Sequence, residues 1–469
     1  MDKLPEEFIH QIESLSNPEL VGLCDALVTT EPSVSVRVNP VKGVHVPDGA
    51  DIVPWCATGY YLKSRQPFTF DPALHQGLYY AQDASSMIVG TVASALAGGK
   101  PVCYLDACAA PGGKSTAAVS VLPNGSLVVA NEYVPARAAV LAENLAKWGS
   151  DSCVVSKGDT SRFRRLPGFF DIVAADVPCS GEGMMRKDDA AVEQWSPSLV
   201  EECAARQREI VDNLWETLRP GGYLIYSTCT FNRTENEDML AYIIERHGGE
   251  SVDLHIEELG EGIVRGLGDD DPACARFMPH RLRGEGLFVG VVRKPEEGDT
   301  RVMRPTRKKA KTISSDIKSL VAQASAWLNN SADYDIRLSK DGKTVFACRK
   351  EHAAIVDSLS EVLDIVSAGV IVGIVKGRAL VPSQQLAISA ALRADAFPCC
   401  EVEYCDAVAY LRRESLSLPT GVPAGFVLLT YRGYPLGFVK NIGNRANNLY
   451  PQAWRILSTH TPEEVPVVL

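Results

Sequence analysis

Between residues 101 and 228, short apolar runs alternate with segments of helical period, and this alternation restricts the fold of the 469-residue chain more tightly than any other feature. Residues 101–106, 127–130, 153–156, 171–176 and 223–228 have the length and apolar character of strands buried on both faces. Residues 114–121, 135–148 and 197–218 carry helical spacing, and Ser196 with Pro197 supplies an N-cap and a first-turn proline for the last of these. Strand and helix in alternation require right-handed crossovers between parallel strands, so a doubly wound α/β sheet is predicted. Ligands of such sheets sit at the carboxyl ends of the strands, and the polar motifs of this chain fall there.

The flanks differ in texture. Residues 1–78 read as a small mixed domain, with two helical stretches in 5–27 followed by Ser33-Val-Ser-Val-Arg-Val38, whose period of two is that of a half-buried strand. Residues 79–295 hold the α/β sheet, closed by a strand at 288–293. A linker is expected over 296–312, and residues 313–469 read as a separate unit with β-rich structure at 426–430 and a turn at Arg432-Gly-Tyr-Pro.

The net charge is −11, and residues 1–300 alone carry −17, which excludes a sequence-blind DNA binder. A shaped RNA gripped by a limited basic surface remains compatible. Arg301 to Lys311 holds six basic residues and no acid, and reads equally as a solvated linker or an RNA contact. Thirteen cysteines, an odd number without Cys-x-x-Cys spacing, indicate free thiols in a reduced compartment. No segment reaches the roughly 20 apolar residues of a membrane span. A cytoplasmic protein without a metal site is therefore expected.

Asp106-Ala-Cys-Ala-Ala-Pro-Gly-Gly-Lys114 links the first strand to its helix with a tight glycine turn that lets backbone N–H groups approach a ligand. A P-loop is excluded because Cys108 stands where the first glycine belongs, and the dinucleotide Gly-x-Gly-x-x-Gly is missing. The second strand ends at Glu132, suited to ribose hydroxyls, and the third near Asp159, suited to an adenine amino group; taken singly, either acid reads better as a helix cap. Together with the turn they form a nucleoside site without a diphosphate cradle, as S-adenosylmethionine requires. Its expected contacts are Cys108, Ala109, Ala110, Pro111, Gly112, Gly113, Lys114, Glu132, Asp159 and Asp176.

After the fourth strand comes Asp176-Val-Pro-Cys-Ser-Gly-Glu-Gly, and after the fifth Tyr226-Ser-Thr-Cys-Thr. Methyltransferases acting on exocyclic nitrogens carry Pro-Pro-aromatic where this chain has Pro178-Cys179. Cytosine C5 is a poor nucleophile, but a thiolate adding to C6 makes C5 enamine-like and able to attack a sulfonium methyl. The C5 proton must then leave, which a second cysteine, a carboxylate or a water assists.

These residues resemble the RNA cytosine-C5 methyltransferase family of the Nop/Sun type. The likeness runs through Gln82-Asp-Ala-Ser-Ser-Met87, Asp106 to Lys114, Asp176 to Lys187, and Tyr226-Ser-Thr-Cys-Thr-Phe231 with Glu235-Asn-Glu237. It implies a Rossmann-like methyltransferase core, Cys229 as nucleophile, Cys179 as the group assisting release, and Asp176 at the cytosine edge. Met185 stands where the family often has phenylalanine, in the wall of the base pocket. Residues 431–455 resemble the tail of the RsmF-like branch, whose members modify small-subunit ribosomal RNA and end in a PUA-like module. The resemblance makes residues 1–78 an RNA-binding-type subdomain. It adds Lys187, Arg432, Lys440, Arg445 and Arg455 as RNA contacts, although cationic rims on a β-rich core fit the last four equally. The expected enzyme is a monomer whose partner is ribosomal RNA or the small subunit. A transfer-RNA methyltransferase and a non-catalytic RNA-binding or assembly factor are the alternatives.

Overall fold

In the computed structural model, residues 3–296, 303, 305–306, 315–458, 462 and 464–469 are described, and they build four β-sheets. The basic run of Arg301 to Lys311 thus lies, apart from Met303, Pro305 and Thr306, outside the described residues. The largest sheet has ten strands. Its parallel centre is β1 (Cys103–Asp106), β2 (Leu127–Glu132), β3 (Cys153–Lys157), β4 (Phe170–Asp176) and β5 (Leu218–Thr228), in the order β3-β2-β1-β4-β5. Helices α1 (Gly113–Val121), α2 (Pro135–Trp148) and α3 (Pro197–Trp215) lie in the crossovers; α4 (Glu237–His247) follows β5, and β6 (Leu287–Arg293) pairs antiparallel with it. The strand order reverses between β1 and β4, which opens a crevice at their carboxyl ends.

The continuous apolar runs have a direct cause. In β2, Val128 and Ala130 pack into one layer with Leu141, Leu145 and Ile225, while Leu127 and Val129 pack into the opposite layer with Val173, Leu214 and Leu224. Each of these valine, leucine and isoleucine side chains contributes roughly 2 kcal/mol on burial.

Three expectations about element and domain bounds need correction. The helix read over 197–218 stops at Trp215, and the strand read from 223 starts at Leu218. The intervening Pro220-Gly221-Gly222 forms an irregularity within the strand: Gly221 has φ +72°, and a Cβ on Gly222 would come 2.9 Å from the Asp171 carbonyl oxygen. Residues 313–469 are not separate from the core, because Asp364–Ala368 adds an antiparallel strand to β3 and covers that sheet edge. The other described strands of this region form one sheet of Tyr334–Leu338, Thr344–Arg349, Val370–Lys376 and Ala379–Pro382, and a last sheet of Cys399–Glu401, Gly425–Tyr431, Tyr434–Asn441 and Ala446–Asn448.

The N-terminal strand Val34–Val38 is buried on both faces rather than half-buried. Its sheet lies against α1, and Arg37 points into that contact. The Arg37 guanidinium donates to Gln82 Oε1 at 2.9 Å, Ser120 Oγ at 3.0 Å and the Gly113 carbonyl at 3.2 Å, and lies over the Trp148 ring. The same domain meets the last sheet through Gln76 Nε2, which donates to the carbonyls of Tyr431 and Tyr434. No helix among the described residues is long and apolar enough to cross a membrane.

Candidate active site

The turn after β1 is secured from several sides. Asp106 Oδ2 accepts from Ser115 Oγ at 2.6 Å, Oδ1 is buried without a partner, and burial pushes the carboxyl up to about 7. Gly112 adopts φ +112°, and a Cβ there would press on Leu141 at 3.3 Å. Ala109 donates its N–H to the Asn131 carbonyl at 2.8 Å, and the Pro111 carbonyl accepts from Asn144 Nδ2 at 2.8 Å. Ala109, Pro111, Gly112 and Gly113 therefore shape the turn from behind, while Cys108 and Ala110 face a cavity. Burial, with the charge of Asp106 added to it, pushes the Cys108 thiol up.

Glu132 closes β2 with Oε1 accepting the Val134 N–H at 2.9 Å and Arg137 3.6 Å from Oε2. Asp159 caps the turn Thr160–Arg165 by accepting the Ser161 N–H at 2.8 Å, and its bonds to Ser161 hold its carboxyl below the usual range. Both acids, with Asp176 and Cys179, line the same 480 Å³ cavity. Its volume suits a small-molecule cofactor. The Glu132 and Asp159 carboxylates, at two strand ends of this cavity, fit a nucleoside bearing hydroxyl and amino donors. Tyr133, Arg137, Arg206 and Glu209 also line it. Sequence reading missed these because nothing in a helix's polar face marks which residues meet a strand end.

The two cysteine motifs meet. Cys179 Sγ lies 3.3 Å from Cys229 Sγ, although 50 residues separate them. Gly183 donates its N–H to the Cys229 carbonyl at 2.7 Å, and a Cβ on Gly183 would fall 2.7 Å from that oxygen. Lys114 Nζ donates to Asp176 Oδ2 at 2.7 Å, and Ser227 Oγ donates to Asp176 Oδ1 at 2.9 Å. Burial alone would lower the Lys114 ammonium, but the ion pair with Asp176 outweighs it and holds the group above its usual value.

The residues after Cys229 brace it. Asn236 accepts from Thr228 Oγ1 at 2.6 Å and donates to the Thr230 carbonyl at 3.0 Å, so both neighbours of Cys229 hang on one amide. Glu237 forms a buried pair with Arg276, which donates to the Phe231 carbonyl at 2.8 Å. Glu182, from the other cysteine loop, accepts the Asn232 N–H at 3.0 Å and Asn232 Nδ2 at 2.8 Å. Met185 is not in the cavity wall; it is buried with Phe8, Trp195 and Phe231 against the N-terminal helices.

Lys187 is paired with Glu285 at 3.3 Å. Arg432, Lys440, Arg445 and Arg455 are exposed on and beside the last sheet, Arg432 over the Tyr431 ring and Lys440 over that of Phe426. The structure does not bring these four to the cysteine pair. Among the described residues, one acidic cluster has metal-compatible spacing, Asp253, His255 and Glu257, and Arg265 bonds both its carboxylates.

Three family models match the chain in order. Residues 4–84 match the N-terminal domain of 16S rRNA methyltransferase RsmF, residues 93–293 the 16S rRNA methyltransferase RsmB/F, and residues 397–456 the methyltransferase RsmF PUA domain. The ribosomal RNA small subunit methyltransferase F of Enterobacter sp. (strain 638) is 29% identical over 476 residues, covering 96% of this chain and 95% of its own. That of Klebsiella pneumoniae (strain 342) is 29% identical over 473 residues, with 96% of each covered. Among solved structures, a methyltransferase homolog protein from Pyrococcus horikoshii superposes with a TM-score of 0.53 at 24% identity, over 62% of this chain and 95% of that one. NSun6 from the same organism has a TM-score of 0.53 at 18% identity, over 62% and 99%. These two share the core fold.

Proposed function

The chain belongs to the RsmB/F family of ribosomal RNA methyltransferases, and from that premise we propose that it methylates C5 of a cytosine in small-subunit ribosomal RNA through a covalent Cys229 adduct. S-adenosylmethionine-dependent methylation of ribosomal RNA is the activity of this family. The observation that carries the finer reading is the approach of Cys179 and Cys229 to 3.3 Å beside the cofactor cavity.

In this reading Cys229 Sγ bonds to C6 of the cytosine, and the ring electrons make C5 nucleophilic. The cofactor supplies an electrophilic methyl group on a sulfonium. Asp176, held by Lys114 and Ser227, borders the cavity and meets the ring edge. After C5 has taken the methyl, its proton passes to Cys179 as base, the C5–C6 double bond reforms and the Cys229–C6 bond breaks. Glu132 and Asp159 hold the cofactor's ribose and adenine. The target base is turned out of its stack to reach the thiols. As proposed, the reaction runs on one chain without a metal, and a cytoplasmic location is supported by thirteen cysteines that all stand unpaired.

Removal of each cysteine tests the reading. Cys229→Ala is expected to lose at least about 1000-fold in turnover, while Cys179→Ala accumulates an RNA adduct visible as a gel shift that survives denaturation. Methylated product released by Cys229→Ala refutes the nucleophile. Bisulfite sequencing of RNA from wild-type and deletion cells tests the substrate: a lost mark in transfer RNA, with ribosomal marks intact, refutes it.

A further inference from the structure

Two sulfurs 3.3 Å apart cannot easily both be thiolates, because like charges at that distance disfavour each other, so one of the pair keeps its proton. Chain spacing does not say which. The surroundings of the two sulfurs do differ, and the difference centres on Glu235, a fully buried residue just before α4.

The Glu235 carboxylate accepts the Ser180 N–H at 3.0 Å, the Ser180 hydroxyl, Gln207 Nε2 at 2.7 Å and Asn232 Nδ2 at 2.9 Å. Gln207 Nε2 donates as well to the Pro178 carbonyl at 3.0 Å. The residues on both sides of Cys179 are thereby tied to one carboxylate. The Tyr226 hydroxyl closes the cage, 3.0 Å from Gln207 Oε1 and 2.7 Å from the Glu235 carbonyl. Burial, with the charge of the buried Glu182 added to it, holds the Glu235 carboxyl above its usual value, and the hydrogen bonds from Ser180 and Asn232 oppose that; three of the four donors are N–H groups, which suit the charged form. On the other side of the pair the Asp176 carboxylate is matched by the Lys114 ammonium at 2.7 Å, whereas the donors around Glu235 carry no charge. The other titratable or charged groups around the pair are Cys203 and Arg206 from α3.

We propose that Glu235 is a positioning residue that fixes Cys179 as the protonated member of the pair and so leaves Cys229 as the sulfur free to attack. This rests on the reading of Cys229 as nucleophile and explains why the later cysteine has that part. The Cys179 thiol is pushed well up, first by its hydrogen bond with Cys229, then by burial, then by the charges of Cys229 and Glu235. Once Cys229 is bonded to carbon its sulfur is a neutral thioether, and the largest of those contributions disappears. Cys179 then gives its proton to water and accepts the C5 proton in the release step.

The test is peptide-resolved alkylation of the intact protein by iodoacetamide from about pH 6 to about pH 10, with thermal melting to confirm folding. In wild type, Cys229 is expected to react about tenfold faster than Cys179 near neutrality. In Glu235→Gln the Cys179 rate across this range is expected to rise about tenfold, the equivalent of a midpoint lowered by about one pH unit, and the ratio to shrink, whereas Glu235→Asp, which keeps the charge, retains the wild-type order. An unchanged Cys179 profile in folded Glu235→Gln overturns the proposal. Should that variant not fold, the wild-type ratio decides, and a Cys179 as reactive as Cys229 overturns it. The two readings fail separately: turnover by Cys229→Ala removes the nucleophile assignment, and an inactive Cys229→Ala beside an unmoved Cys179 profile removes only the part given to Glu235.

Discussion

Arg276 and Glu237, 1% and 0% exposed, close on each other beneath the Cys229 loop, whereas Lys440 and Arg445 of the last sheet stand in solvent. Around the cysteine pair, charge is buried and matched: Lys114 with Asp176, Arg276 with Glu237, Glu235 among its donors. On the last sheet, Arg432, Lys440, Arg445 and Arg455 form no ion pair among the described residues. Burial fixes the geometry that chemistry needs, and exposure leaves cations available to phosphates. The acidic total of the chain is therefore compatible with an RNA partner, because many of the acids in the core are already committed inside the protein.

The contrast is most open to attack at the buried pair. Arg276→Met leaves Glu237 as an uncompensated buried charge, and a loss of about 3–5 kcal/mol is expected, read as a lowered melting temperature. A variant that melts like the wild type would show that the pair does not brace the Cys229 loop.

The joint between the N-terminal domain and the last sheet offers a second test. His75 is buried, with Nε2 2.9 Å from the Thr69 carbonyl oxygen and Nδ1 3.2 Å from the Tyr450 hydroxyl. Burial, helped by Lys147, lowers its pKa to about 3. The folded value lies below the unfolded one, so the unfolded chain binds the proton more tightly. Stability from this group is complete above the unfolded pKa and declines as pH falls from about 6.5 toward about 3, by up to about 1.4 kcal/mol per pH unit. Melting between about pH 7 and about pH 5 should show this slope, and His75→Gln should flatten it.

The smallest effects are expected on the last sheet. Arg445→Ala and Arg455→Ala should each weaken RNA binding by a few fold and lower the slope of log affinity against log salt by about one, with kcat moving less than KM. A slope that does not change would make these residues the cationic rim of a β-rich core.

Much of the core was legible because its signals are local. β1 to β5 are largely buried, so their apolar runs stood out against the helices between them, and the glycine turn after Asp106 marked a strand end that opens on a cavity. The same logic singled out Glu132, Asp159 and Asp176, and all three line the cavity. The role of Gln82 was not legible: it accepts from Arg37 beneath Gly113, a contact made by a strand 45 residues upstream. The covering of the β3 edge by Asp364–Ala368 escaped for the same reason, since strand pairing across two hundred residues leaves no period in the sequence.

What the sequence determined by itself is the α/β order, the strand ends, and the identity of the groups placed there, because local apolar patterning and turn residues dictate where strands stop. What only the tertiary structure decided is which groups meet. Cys179 and Cys229 touch because parallel strands β4 and β5 lie side by side and bring their carboxyl ends together, and Glu235 reaches back across that seam to the residue after Cys179. Spacing along the chain carries no distance between strand ends; the pairing of the sheet supplies it.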